Sequence, residues 1–542
     1  MTSAPPELPF VLREDRGLTD YCTGLLGRGP HESPGLLVAV ARGGELRYGC
    51  SGLADLEHRI PLGPSTRFEI GSIAKQITSR ALLTALGEES ALDAPVTALL
   101  PDATHLAAVT LRQLADHDAS VPDYDTLLAL SGRRVWDYWS QADVRRLILR
   151  QPVHTDIPWH YSNSHHLLLA EALRERTGRS LAAFARDLVF PVYGMRQSSF
   201  RAAPEELIVE RARSYYRDSR SRDWRLADTS DATIGPHGLY SSLTDLVAWE
   251  HAIRSDDTSI DAELLKKSVA LGRQSWVLGR TARRHRRSWL FGHGGSRFGF
   301  RSALWSDGSG TTVAVLAARE DIDADRVADD VRDLDSDPGG AVPVTVPAVR
   351  HPQRSSPSAR PRDGIYWSCG DGSEWQLRTR GDRVVVTGGQ GEISLRQSSE
   401  GAWIDDRPAV RLTTVGDEGD AHEGKTVEIT QADGFLLTSL EYVGTGAAGT
   451  TDGPDSVVTY IQVELGTELT WRVRGARALA QTGRALHQFR QVGADCWLGG
   501  GMRVRRWNDQ LIVDLPRARN IVFCRKAEGS HGRSETQQQP AV

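Results

Sequence analysis

Residues 69–78 read EIGSIAKQIT, from Glu69 to Thr78. Five of the 65 basic side chains in the whole chain are lysines, and one of them, Lys75, stands three residues after Ser72. Apolar residues at Ile73, Ile77, Ala81 and Leu82 follow a helical period and Gly87 supplies a stop, so residues 72–86 are predicted to be a helix. Positions three apart on a helix share a face. A serine hydroxyl is a weak nucleophile that needs a base beside it. A lysine serves as that base only where burial or cationic neighbours lower its pKa, and arginine cannot serve at all. Taken alone, such a tetrapeptide more often means an N-cap serine followed by a surface lysine. The other lysines, Lys266, Lys267, Lys425 and Lys526, lack such a partner in the sequence and read as solvent-facing charges.

Outward from this stretch, the segment up to residue 342 mixes two periods. Leu36 to Gly52 reads as two strands joined by a Gly-Gly turn. His166 to Thr177 reads as a helix ended by Gly178. RSALWSDGSGTTVAVLAARE reads as a hairpin turning at Asp307–Gly310, and ADRVADDVRDL as a charged amphipathic helix. Strands at both ends with helices between predict an α+β domain whose terminal strands share one antiparallel sheet. Residues 343–362 hold five prolines among serines and arginines and read as a linker. Beyond it, runs such as WQLRTR, RVVVTG, TVEITQ and LTWRVRG alternate between Gly/Asp turns, which predicts all-β structure. A second linker at 444–456 divides this part into two small antiparallel barrels of lipocalin-like type, at 363–443 and 457–526, with a disordered tail at 527–542.

Bulk properties narrow the function. The chain has 542 residues, 39% hydrophobic and 25% charged, with a net charge of −5, so no global field favours nucleic acid or an acidic membrane. No apolar run approaches the ~18 residues of a bilayer span. The start, MTSAPPELPFVLRED, has neither a basic nor an apolar leader region. The expectation is a cytoplasmic protein, or one whose leader has been removed. Five cysteines without a CxxC pair fit a reducing compartment and argue against a zinc site or a disulfide framework. No cofactor or metal is expected, and the partners expected are a small substrate and a second copy in a homodimer.

Two further motifs accompany Ser72-x-x-Lys75. Tyr161-Ser162-Asn163 precedes the helix at 166, and His293-Gly294-Gly295 leads into a strand on which Phe298, Phe300, Ser302 and Leu304 alternate. Each alone is a turn or a glycine bend. In the order Ser-x-x-Lys, Tyr-x-Asn, His-x-Gly, the set resembles the serine β-lactamase and penicillin-binding-protein superfamily. The Tyr-x-Asn form is similar to class C β-lactamases, their esterase relatives and serine DD-peptidases, while His-x-Gly stands where many members have Lys-Thr-Gly. TLRQLADHDASVPDY (Thr110 to Tyr124) resembles the family's H-x-S-G-L turn, and GPHGLYSSLTDLVAWE (Gly235 to Glu250) its glycine turn into a helix. The resemblance covers roughly residues 30–320. In layout, with two β domains after the catalytic one, the chain is similar to bacterial D-aminopeptidases. In that family the last barrel inserts a loop that limits substrates to short peptides with a free amine, and Thr482 to Cys496 here offers one acidic residue, Asp495, for such an amine.

The resemblance implies a mechanism. Ser72 attacks a carbonyl and becomes acylated. Lys75 and Tyr161 relay the proton, in either order, to the leaving amine or alkoxide. Asn163 bonds Lys75 and the acyl-side amide of the substrate, and His293 tunes Tyr161. The backbone N–H groups of Ser72 and Ser296 form the oxyanion hole, and Gly294 and Gly295 admit a peptide-like substrate close to the strand. Hydrolysis of D-amino-acid peptides, amides or esters leads. A biosynthetic acyltransferase or peptide cyclase uses the same acyl-enzyme, and a non-catalytic sensor is the third reading.

Three other patterns in the sequence have bland readings. Gly444 to Gly449 is formally GxGxxG but no helix follows it. The basic run Arg280, Arg283, Arg284, Arg286 and Arg287, with His285, reads as a solvated hairpin tip rather than a nucleic-acid patch. His160, His165 and His166 have no carboxylate or cysteine at metal-ligand spacing.

Overall fold

The structure is a computed structural model of the 542-residue chain. It describes residues 10–335 other than 28–31, 132–136, 152–160, 219–220, 222, 257, 272–273 and 287. Beyond residue 362 it describes the strands and a few turn residues. The chain divides into two compact units, one holding Met1–Tyr124, Arg134–Gln353 and Asp433–Phe435, the other Asp125–Arg133, Arg354–Ala432 and Leu436–Val542.

The first unit is built on one eight-stranded sheet. Its strands are β1 (Val11–Glu14), β2 (Leu36–Arg42), β3 (Glu45–Ser51), β4 (Trp276–Val277), β5 (Arg280–His285), β6 (Ser288–Arg297), β7 (Phe300–Asp307) and β8 (Thr312–Ala317). They lie in the order β1-β3-β2-β8-β7-β6-β5-β4. The predicted meeting of the first segment's two ends is the β2–β8 pairing, antiparallel from Leu36↔Ala317 to Ala41↔Thr312. Gly43 and Gly44, both at positive φ, make the tight turn between β2 and β3. The expected all-antiparallel sheet is corrected at one edge: β1 pairs with β3 in parallel, making the sheet mixed. A helix, α1 (Arg16–Leu26), separates β1 from the strands that follow, and such a crossover lets a strand return in the same direction.

Helices cover both faces of this sheet, which explains why LLVAVAR in β2 is a continuous apolar run rather than an alternating one. On one face Val38, Val40, Trp305, Val313 and Val315 pack with Leu18, Cys22 and Leu26 of α1 and with Val327 and Val331 of a C-terminal helix. The other face meets the helical region, including the helix that carries the buried Trp249. There α2 (Ala74–Leu86) packs against α3 (Asn163–Thr177). Both end at a glycine in the left-handed conformation, Gly87 and Gly178, as their sequences predict. Ile73, Ile77, Ala81 and Leu82 are all fully buried. The helix carrying Trp249 is α4 (Leu243–Asp256), and the charged C-terminal helix is α5 (Ala324–Asp335). A 3₁₀ turn at Gly71–Ile73 precedes α2 and lies against β6 and β7, so Ser72 sits at the seam between sheet and helices.

Beyond residue 362 the described residues of the second unit are antiparallel β, while its segment Asp125–Arg133 is mostly helical. Strands from Gly364–Ser368 to Leu436–Gly444 pair into one closed ring of eight, and strands from Ser456–Gln462 to Ala518–Arg525 into another. Arg477–Thr482 shows the expected two-residue period, with Ala478, Ala480 and Thr482 buried and their neighbours exposed. Trp471 packs against Phe489 and Trp497 inside the second ring. The predicted linker at 343–362 and tail at 527–542 lie outside the described residues, as do residues 445–455; the flanking strands take in Gly444 and Ser456. No helix among the described residues is long and apolar enough to cross a membrane.

Two readings of exposed charge are corrected. Lys267 is not solvent-facing: it is mostly buried and bonds Asp116 at 2.9 Å and Asp118 at 2.6 Å. The arginine run is not a free hairpin tip. Arg280 is 2% exposed and forms ion pairs with Glu250 of α4 and Asp261. Arg283 pairs with Asp329 of α5, and Arg286 with Asp333. The carboxylates that neutralise the run lie tens of residues away in sequence, so local composition does not reveal them.

Candidate active site

Four of the expected residues meet around one hydroxyl. Ser72 Oγ accepts hydrogen bonds from Lys75 Nζ at 2.9 Å and Tyr161 Oη at 2.6 Å. Lys75 Nζ also donates to Asn163 Oδ1 at 2.8 Å and to the Pro236 carbonyl at 3.0 Å. It lies 4.7 Å from the centroid of the Tyr161 ring. Lys75 is wholly buried while Ser72 and Tyr161 are partly exposed, so the nucleophile is reachable and its lysine is not. Helix geometry sets the first pair, since Ser72 and Lys75 lie one turn apart at the start of α2. The second pair comes from the start of α3. Ser162 is its N-cap, accepting from Ser164 N, and the first helical N–H, that of Asn163, donates to the buried Asp123 carboxylate at 2.7 Å.

The third motif lies on β6 beside this cluster. Ser302 Oγ of β7 bonds the Ile70 carbonyl at 2.8 Å, tying the sheet to the residue before Gly71. Gly71 is at φ +53, and a β-carbon there would stand 2.6 Å from Ser296 N. One at Gly295 would stand 2.1 Å from the Ile70 carbonyl oxygen. These two glycines let the Ser72 turn and the Ser296 peptide approach each other. His293 is 8% exposed; its Nδ1 is 2.5 Å from the Gly294 carbonyl, and its ring centroid is 6.0 Å from that of Tyr161. Gly294 lies next to Asp325 of α5.

Residues 25–337 match the family described as Beta-lactamase. The chain belongs to the beta-lactamase family. Among curated relatives it is similar to a D-aminopeptidase of Gluconobacter oxydans, 33% identical over 41% of this chain and 42% of that one. A D-aminopeptidase of Brucella anthropi is 28% identical over 53% of this chain and 56% of that one. The matches thus span about half the length of these relatives. Among solved structures it is similar to the D-amino acid amidase from Ochrobactrum anthropi SV3 complexed with L-phenylalanine amide. That match has a TM-score of 0.45 and 21% identity, over 56% of this chain and 89% of that one.

Several residues around this beta-lactamase-family site were not singled out from the sequence. The Pro236 carbonyl lies in the quoted GPHG turn, whose Gly235 carbonyl also accepts from Thr78 of α2. Glu69, in the opening stretch, is buried and accepts from Gly238 N at 3.1 Å. Burial raises its pKa to about 7; Arg297 opposes the rise and Asp231 adds to it. Burial acts on Asp231 in the same direction, but Arg297 and His237 outweigh it and hold that carboxyl down to about 2. His117, in the quoted HDAS stretch, stacks on Tyr161. The signal for it was a histidine at a turn, which sequence alone leaves without a role. His165 and His166 are buried in α3, where His166 Nε2 is 3.2 Å from Ser79 Oγ; His160 lies outside the described residues. Among the described residues, Asp55, Glu57 and His58 bring ligand atoms within 4.8 Å of one another. Asp55 there accepts the Glu57 and His58 N–H groups, which makes the group a carboxylate-closed turn.

Proposed function

We propose that the chain is a serine hydrolase that acts through a Ser72 acyl-enzyme on small D-amino-acid-containing peptides, amides or esters. The observation that carries this reading is the placement of Ser72 Oγ 2.9 Å from a buried lysine and 2.6 Å from a tyrosine hydroxyl. Such a nucleophile needs a base within hydrogen-bond reach and a group that returns the proton to the leaving atom. One member of the Lys75–Tyr161 pair first gives up a proton to solvent, and Ser72 passes its own proton to that member as it attacks the carbonyl. The bond to the leaving nitrogen or oxygen then breaks as the pair supplies a proton to it. Water reverses the sequence to release the acid. Asn163 holds Lys75, and the backbone N–H groups of Ser72 and Ser296 receive the oxyanion; one such donor is typically worth ~3–4 kcal/mol. The space beside Gly294 and Gly295 is taken by Asp325 and by the Ile70 carbonyl rather than left for a substrate backbone, and His293 flanks Tyr161. The preference for D-amino acids is supported by the relatives named D-aminopeptidase. We also infer that the two closed rings of the second unit are separate lipocalin-like barrel domains, a reading supported by the lack of any pairing between the two rings' strands among the described residues.

The test is turnover of D-Ala-p-nitroanilide, its L-isomer and p-nitrophenyl acetate by wild type and Ser72→Ala. Turnover of the D-anilide, lost in Ser72→Ala, is the expected result. Turnover of the ester alone moves the reading to an esterase or acyltransferase. Turnover that survives in Ser72→Ala removes the acyl-enzyme.

A further inference from the structure

We propose that His117 is a positioning residue for Tyr161, holding the phenol where it delivers a proton to the leaving group. The inference rests on the acyl-enzyme reading above. His117 lies just past a short helix, Leu111–Ala115, with φ +55, a conformation uncommon outside glycine that asparagine, aspartate and histidine adopt more readily than other residues. It is wholly buried. Its ring lies against that of Tyr161, with centroids 4.4 Å apart and planes tilted by 34°. Trp276 meets both rings, at 5.6 Å from His117 and 5.8 Å from Tyr161.

The same imidazole also grips the backbone next to Tyr161. Ser162 N donates to His117 Nδ1 at 3.4 Å, so that nitrogen carries a lone pair. The 2.8 Å contact between His117 Nδ1 and His165 Nδ1 then takes its proton from His165. This pattern assigns the proton of a neutral His117 to Nε2, which is buried without a hydrogen-bond partner among the described residues. Its face confines the tyrosine ring and its edge holds the following peptide, a two-point clamp. Protonation at Nδ1 would set three donors against one another and place a cation among Lys75, His165, His166 and His293. Burial first, and then repulsion from any charge carried by His166, His165, Lys75 and His293, keep the His117 pKa well below the usual histidine value.

The consequence falls on one step. When the C–N bond of an amide breaks, the leaving nitrogen must take a proton, here from Tyr161 Oη. When an activated ester breaks, p-nitrophenolate departs as the anion and needs none. A tyrosine that is loosely placed therefore slows anilides more than such esters. Misplacement by about 1 Å costs roughly 100-fold.

The experiment compares kcat/KM for D-Ala-p-nitroanilide and D-alanine p-nitrophenyl ester in wild type and His117→Asn. Asparagine tolerates the left-handed backbone and keeps an acceptor near Nδ1, but has no ring. The anilide-to-ester ratio is expected to fall ~10–100-fold while the ester rate stays within about 3-fold. If His117→Asn does not give the wild-type circular dichroism spectrum, His117→Gly, which also removes the ring and adopts φ +55 freely, carries the same ratio test. A ratio within about 3-fold of wild type, or an equal loss on both substrates, overturns the proposal. Ser72→Ala serves as the control: anilide turnover that survives it removes the acyl-enzyme reading itself, whatever the ratio does.

Discussion

One methyl group separates glycine from alanine, and at position 71 the fold has no room for it. The added carbon would stand 2.6 Å from Ser296 N, against backbone, at a φ of +53 that alanine adopts poorly. Gly71→Ala must therefore open the gap between the Ser72 turn and the Ser296 peptide. The expected loss in kcat is ~10²–10³, the usual cost of an oxyanion donor, with a stability loss of about 1–2 kcal/mol. Steady-state kinetics and urea unfolding measure both. Gly24 is the contrasting case: it lies inside α1, with nothing within 4 Å of an added β-carbon. Gly24→Ala should leave activity unchanged and raise stability by about 0.5–1 kcal/mol. Lys75 makes the same point in chemistry. Its ammonium meets three acceptors in a closed space, and Lys75→Arg keeps the charge while losing a titratable proton. A fall in kcat of ~10²–10⁴ is expected, with release of p-nitrophenolate in the first turnover slowed equally. Acylation at wild-type rate in this variant would remove Lys75 from the relay.

Among the elements, what was legible follows from the range of the signal. The β2–β3 hairpin, α2, α3 and the β7–β8 hairpin each carry their own period and their own glycine stop, so they are readable from a dozen residues. The three motifs are likewise local, and their order along the chain was enough to suggest that they meet. The partners of β5 are different. Its arginines look like an isolated basic run because the acids that pair with them stand on α4, on α5 and at Asp261. The parallel edge strand was missed for a similar reason, since Val11–Glu14 has no pattern that states its direction. Arg280 links these elements: it bonds Glu250 of α4, Asp261, and Gln76 of α2, and Ser306 adds a bond to Glu250. Because the Arg280–Glu250 pair is buried, removing one of its two charges costs far more than removing both, and Asp261, partly exposed, can turn to water. Glu250→Gln should destabilise the first unit by about 3 kcal/mol, while Glu250→Leu with Arg280→Met should recover most of that loss. Urea midpoints for the two variants decide it; equal losses would show that packing rather than charge governs the junction.

On the scale of the whole molecule, composition announced an α+β part and an all-β part, but burial of individual acids could not be read from it. That burial determines how stability depends on pH. Glu69 is one residue among 70 acidic ones, yet it lies buried three residues before Ser72 with its pKa raised to about 7. A carboxyl with an ordinary value near 4.3 when unfolded and about 7 when folded binds its proton more tightly in the native state. The stability it contributes is thus fully present below about pH 4.3 and is lost as pH rises through 7. At 1.36 kcal/mol per pKa unit, most of the shift falls between pH 5 and pH 8, amounting to about 2.5–3 kcal/mol. Asp231, held down to about 2, acts in the opposite direction, but only below about pH 4, outside this window. Glu69→Gln keeps an oxygen to accept the Gly238 N–H and cannot titrate. The stability of wild type relative to Glu69→Gln should therefore be about 2.5–3 kcal/mol more favourable at pH 5 than at pH 8, measured by urea unfolding at both. A difference that does not change with pH would mean that Glu69 ionises alike in the folded and unfolded chain, and that the charge cluster beside the nucleophile is balanced without it.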